Sequence, residues 1–285
     1  MLEILNELDR RWIFLAMFLA VLLPIVSQKI FPEQPTPFVR SVFDKIENLP
    51  EGSTVVIAFD FDPATEAELG PIATCFVRHC CLRRHKLLFL TLFETGGPRI
   101  DQIIRQILLG EFADLDLKAG EDYVNLGFSQ GKEVVITMAA TNLRGIFPAD
   151  SDGRNLDDLP LTKNMVNFQD ADLLLDLSSG WPGWKEWIQY AANPYGIPIA
   201  AGTTAVGAPQ AYPYIPGQML GLLAAVKGAA EYEAALAEKY PQYRDPKLNQ
   251  ALRRMTPQFW GHLLIIVLIV LGNGIHFANR ARRGS

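Results

Sequence analysis

Residues 54–63 read TVVIAFDFDP: an unbroken run, TVVIAF, led in by Gly52 and closed by Asp60, Phe61, Asp62 and Pro63. A strand with one wet face alternates apolar and polar residues. A run apolar at every position fits a strand buried on both faces, which is the habit of parallel sheets covered by helices. The same profile returns at 86–93 (KLLFLTLF), 172–177 (DLLLDL) and 197–201 (IPIAA), with a shorter candidate strand at 123–128. Helical periodicity fills the gaps at 64–84, 98–112, 184–193, 218–240 and 247–255; 132–142 fits helix or strand and is taken as helix, and 145–161 reads as loop. Asp62 and Pro63 supply a cap and a first-turn proline for the first of these helices. Strand and helix in alternation predict an α/β domain with a doubly wound, mostly parallel sheet of Rossmann or flavodoxin type.

The composition fits such a core. The chain has 285 residues, 49% of them hydrophobic and 20% charged, with a net charge of −5. That excludes a disordered chain, and three cysteines exclude a disulfide scaffold. The acidic balance (pI near 5.5) argues against a nucleic-acid partner. The mean hydropathy of +0.11 is high for a soluble protein, and the excess lies at the two ends.

From Trp12 to Val26 the chain carries no charge, and with residues 27–31 the stretch reaches the roughly 20 residues that a ~30 Å hydrocarbon core requires. Arg10 and Arg11 ahead of it also fit a secretory signal, but no small-x-small cleavage site follows. The second stretch, FWGHLLIIVLIVLGNGIHFA at 259–278, has Phe259 and Trp260 at one end and Arg280, Arg282 and Arg283 at the other, as interface anchors do. His262, Asn273 and His276 near its ends fit headgroup depth. The expected organisation is a tail (1–11), a transmembrane helix (12–31), a linker and leading helix (32–50), the α/β domain (51–243), a connecting helix (244–256), a second transmembrane helix (257–279) and a basic tail (280–285). Both termini then share one side of the bilayer. Basic residues flank both faces and nearly cancel in the positive-inside rule, while Cys75, Cys80 and Cys81, an odd set in one short segment, lean the domain toward a reducing, cytoplasmic compartment.

In an open parallel sheet, ligands bind at the carboxyl ends of the strands. Those ends offer Asp60 and Asp62, then Glu94, Thr95, Gly96 and Gly97, then Ser178, Ser179 and Gly180, then Gly202, Thr203 and Thr204. Such residues serve anion binding at helix N-termini or ordinary caps and turns. Trp181, Trp184 and Trp187 form an aromatic group suited to core packing or to a partner contact. Cys75, His79, Cys80, Cys81 and His85 lack the spacing that would put metal ligands on one helical face. No GxxxxGK[ST], GxGxxG or GxSxG motif occurs.

Asp60–Phe61–Asp62 after a buried strand resembles the signature of haloacid dehalogenase phosphohydrolases. The resemblance implies a nucleophilic Asp60, an acid/base Asp62 and Mg²⁺. It spans residues 55–63 and departs at Ala64, where that family carries Thr or Val, and Asp157–Asp158 stands in a loop rather than after a strand.

The expected function is a membrane-anchored binding or assembly module, whose partners are the bilayer and other membrane subunits or another copy of the chain. The alternatives are an Mg²⁺-dependent enzyme acting on a phosphate or similar anion, with Asp60 and Asp62 as metal ligands, and a small-molecule sensor signalling through the helix at 218–240.

Overall fold

A computed structural model of the chain describes residues 9–27, 30–31 and 33–283. The first half runs α1 (Arg10–Ser27), α2 (Pro37–Asn48), β1 (Thr54–Asp60), α3 (Glu66–Leu82), β2 (Lys86–Thr91), α4 (Gly97–Ile103), β3 (Tyr123–Phe128) and α5 (Glu133–Ala139). The second runs α6 (Leu143–Ile146), β4 (Leu173–Ser178), α7 (Trp184–Trp187), β5 (Ile199–Thr203), α8 (Ala208–Ala211), β6 (Leu222–Ala224), α9 (Ala225–Lys239) and α10 (Gln250–Arg283). Both α4 and α7 run on as π-helical coil, over Ile104–Glu111 and Ile188–Ala192.

All six strands pair in parallel in the order β3-β2-β1-β4-β5-β6, the order of a doubly wound sheet. Each strand's two rows of side chains enter different cores. Val55, Ile57 and Phe59 of β1 pack under α2, α3, α4 and α9; Val56 and Ala58 pack under α5, α7, α8 and the long connection into β4. Burial on both faces explains why the strands lack polar alternation.

Two elements differ from the sequence reading. Residues 222–224 of the expected helix at 218–240 are the edge strand β6, and α9 begins only at Ala225. Three residues give no measurable period, and only pairing with β5 separates them from the alanine-rich helix behind them. Gly221 ahead of β6 is a forced choice: a Cβ there would stand 2.2 Å from the Phe38 carbonyl oxygen. The expected connecting helix at 244–256 is helical from Gln250, after a short turn at Pro246–Leu248, and is continuous with the second apolar segment in one 34-residue helix, α10.

Helices α1 and α10 are long and apolar enough to cross a membrane by length and composition, and few residues of either apolar stretch are buried. They lie side by side, with Gly261 facing Val21. At the domain end the Phe31 ring meets Phe259 at 5.3 Å and Trp260 at 6.3 Å, and the Phe31 N–H donates to Thr256 Oγ1 at 3.3 Å.

Both helices leave the domain at the carboxyl edge of the sheet. The segment before α2 is tied there by the Thr36 N–H and hydroxyl, which donate to Glu231 Oε2 at 2.8 and 2.6 Å. Arg254 of α10 donates through Nη1 to the Ala67 carbonyl at 2.9 Å, in the first turn of α3, just after β1. Pro71 explains that bond. Having no N–H, it cannot satisfy the carbonyl four residues back, and the guanidinium of a different helix does so instead. Lower on α10, the buried Glu233 carboxylate of α9 accepts the free N–H groups of Ala251 (3.0 Å) and Leu252 (2.8 Å), capping α10 from a neighbouring helix.

Glu233→Ala is expected to cost about 2–3 kcal/mol by leaving buried N–H donors unpaired, and Arg254→Ala about 1 kcal/mol. Denaturant unfolding reads both losses, and hydrogen exchange at residues 250–256 should rise selectively in the Glu233 variant.

Candidate functional site

The strand order reverses between β1 and β4, the position where doubly wound sheets open a crevice. Register sets Ala58 beside Asp176 and Asp60 beside Ser178, so the two aspartates follow one another on the α7 face of the sheet. Asp60 is fully buried. Its Oδ1 accepts the Leu92 N–H at 2.7 Å and its Oδ2 the Trp187 indole N–H at 2.8 Å. The Ser178 hydroxyl donates to Asp176 Oδ2 and accepts the Trp184 N–H at 3.0 Å, while Asp176 Oδ1 is buried without a partner. Gly183 lets the loop close over this cluster, because a Cβ there would stand 2.7 Å from the Ser178 side chain.

Burial pushes Asp60 from 3.8 up to about 7 against the pull of its two donors. Asp176 stands well above the carboxylate range, first through burial and then through the negative field of Asp60. The pair therefore holds a proton at neutral pH, carried by Asp176.

The remaining sequence candidates are local. Asp62 Oδ1 accepts the Ala64 and Thr65 N–H groups at 2.9 and 3.2 Å, the cap its position predicts. Glu94 and Thr95 are exposed, whereas Gly96 is buried and Gly97 half-buried. The Gly96 N–H bonds the Phe93 carbonyl in a turn. The Thr203 hydroxyl donates to the Ser178 carbonyl at 3.1 Å, the Thr204 hydroxyl accepts the Gly207 N–H at 3.3 Å, and Gly202 is buried in β5. Ser179 is half-buried beside an exposed Gly180. Trp184 and Trp187 are core residues; Trp181 is 53% exposed, with the Lys132 ammonium 3.5 Å above its ring. The cysteines are buried and unpaired, and burial pushes their thiols up, away from reactivity.

Of the expected residues, Asp60, Ser178 and Trp187 share one cluster, joined at Ser178 by Trp184 and Thr203, and it is sealed. Asp60 is fully buried, and among the described residues no group of three or more His, Cys, Asp or Glu could hold a metal ion.

Open space beside this cluster lies on the other face of β1. A cavity of about 490 Å³ is bounded by α3, the α4 coil and the start of α10, with Phe59 and Phe61 in its floor. Its walls carry Glu66, Arg99, Gln102, Gln106, Gln250 and Arg254. Arg99 Nε stands 3.3 Å from Glu66 Oε2 and its Nη1 donates to Gln102 Oε1 at 3.2 Å. Glu66 Oε2 is buried without a hydrogen-bond partner, and burial raises this carboxyl against the opposing fields of Arg99 and Arg254. Sequence reasoning missed these residues and Asp176. Asp176 was signalled by a lone charge inside LLLDLS, and the cavity by polar residues three or four apart on helices: 99, 102 and 106, and 250 and 254.

The aspartate pair should make stability depend on pH. Both carboxyls keep protons in the folded chain that the unfolded chain releases near pH 4; Asp176 keeps its proton past neutrality, and the Asp60 contribution is complete below about pH 4 and is lost as pH rises through about 7. The loss is on the order of 4 kcal/mol. Asp60→Asn should flatten that decline, measured as denaturant midpoints at pH 5, 6, 7 and 8; an unchanged slope would assign it elsewhere. Trp187→Phe, which removes the donor to Oδ2, should cost about 2–4 kcal/mol at pH 8 and less at pH 5.

Compared with protein-family models and with curated proteins, the chain matches none, and its functional reading rests on the geometry above.

Proposed function

We propose that the chain is an integral membrane protein in which α1 and α10 cross the bilayer and hold the α/β domain against the membrane surface, as a binding or assembly module. The observation that carries this reading is the shared exit of two exposed apolar helices, packed on each other, from one edge of the domain. At 1.5 Å per residue, the 18 residues of α1 rise about 27 Å, and the stretch at 259–278 about 30 Å, matched to a hydrocarbon core. A soluble protein leaving that much apolar surface in water would aggregate. Phe31, Phe259 and Trp260, clustered where the helices meet the domain, suit the headgroup layer.

On this reading both termini lie on one side and the domain on the other. The three buried free thiols favour a cytoplasmic domain, because such cysteines persist unpaired in a reducing compartment. Partner subunits or a second copy would meet the module through surfaces that remain exposed, of which Trp181 is the most evident aromatic candidate. Turnover at Asp60 and Asp62 gains no support: one is sealed, the other caps a turn, and neither lines the cavity.

Full-length protein in native membranes should resist alkaline carbonate extraction and dissolve only in detergent. Cysteine-free protein with single thiols placed at residue 9 and at Asp157 should label from opposite sides of sealed vesicles. Release by carbonate, or labelling of both positions from one side, would overturn the two-span reading.

A further inference from the structure

We infer that the cavity between α3, α4 and α10 is a phosphate-binding site, filled by a phosphate group borne on a membrane lipid or on a soluble phosphate ester. Three helices build it, each contributing along one face. The α4 coil presents Arg99, Gln102 and Gln106; α10 presents Gln250 and Arg254; α3 contributes Glu66 and Thr74 together with the small residues Ala67, Gly70 and Ala73, which keep the space open. Two guanidiniums stand against one carboxylate, and Arg99 lies beside that carboxylate at 3.3 Å. The wall therefore keeps a net positive charge within a chain whose total is −5. Guanidinium pairs with amide donors around them are the donor set that phosphate oxygens select. The floor is apolar, and about 490 Å³ exceeds what one phosphate needs, leaving room for the glycerol or alcohol it esterifies.

A ligand there would meet a guanidinium that the fold leaves with free donors. The Glu66 Oε2 is buried against Arg99 Nε at 3.3 Å and holds that guanidinium at the cavity wall. The Arg254 guanidinium uses Nη1 on the Ala67 carbonyl, and its remaining donors border the cavity. The π-helical stretch after Ile103 widens the turn from which Gln106 projects, a distortion that recurs where helices form sites.

The position favours a lipid source, and this part alone rests on the membrane reading. Arg254 lies five residues before Phe259, about 7–8 Å along the helix axis, so the cavity opens at headgroup depth if α10 spans the bilayer.

The test uses full-length protein in detergent, with dioleoylphosphatidylglycerol followed by native mass spectrometry and sn-glycerol 3-phosphate followed by calorimetry. The inference expects saturable binding of at least one of them, weakened about tenfold or more by Arg99→Gln. Ala67→Leu, which fills the space without altering charge, should weaken it comparably, and Arg253→Gln, outside the cavity, should leave it unchanged. Binding of lipid alone, or of both probes, supports the site in turn as a headgroup or a general phosphate site. Absence of both, or binding indifferent to Arg99→Gln and Ala67→Leu, overturns it. Carbonate extraction of the same wild-type protein separates the two claims: released protein that still binds glycerol 3-phosphate sinks the membrane reading and leaves the site standing, and retained protein that binds neither does the reverse.

Discussion

Parallel pairing of β1 with β2 on one side and β4 on the other is the constraint from which the molecule follows. A parallel strand can be entered only from the far edge of its neighbour, so the chain must return across the sheet after every strand. The returns cover both faces with helices and gather every strand's carboxyl end on one edge. In this chain that single edge receives the capping turns, the closed aspartate pair, the open polar cavity and the roots of both terminal helices.

The two faces of β1 use that edge in opposite ways. On the α7 face, Asp60 and Asp176 are adjacent, with the loop around Gly183 and the Trp187 ring closing over them. Removing water from two neighbouring carboxyls is affordable only if they share protons, and the upward displacement of both follows from that. On the α3 face the neighbouring groups are cationic and amide, the packing residues are small, and the space remains open to water. Burial of charge in one place and solvation in the other separate a structural cluster from a surface able to exchange a ligand.

The terminal helices are joined to the domain by polar contacts as much as by apolar packing. Glu233 supplies the cap that Asn249, engaged through Nδ2 with the Tyr243 and Asp245 carbonyls, does not make, and Arg254 replaces the hydrogen bond Pro71 denies to Ala67. These bonds fix α10 against α3 and α9 over its first two turns, so a helix otherwise exposed leaves the domain in a defined direction.

The alternating apolar runs and helical periods by themselves determined the α/β class, five of the six strands and the two apolar ends, because burial on both faces and membrane-length stretches leave a local imprint. The Asp62 cap was equally legible, since a cap is made within three residues. Tertiary structure alone decided the rest. β6 exists only because β5 offers a partner; whether Asp60 lines a cleft or lies sealed depends on Trp187, 127 residues away. The cavity joins residues from positions 59 to 254, brought together by helices that carry no mark of one another in sequence. Local periodicity records which face of an element is dry, whereas a site is a property of which elements meet, and that is set by packing between segments remote along the chain.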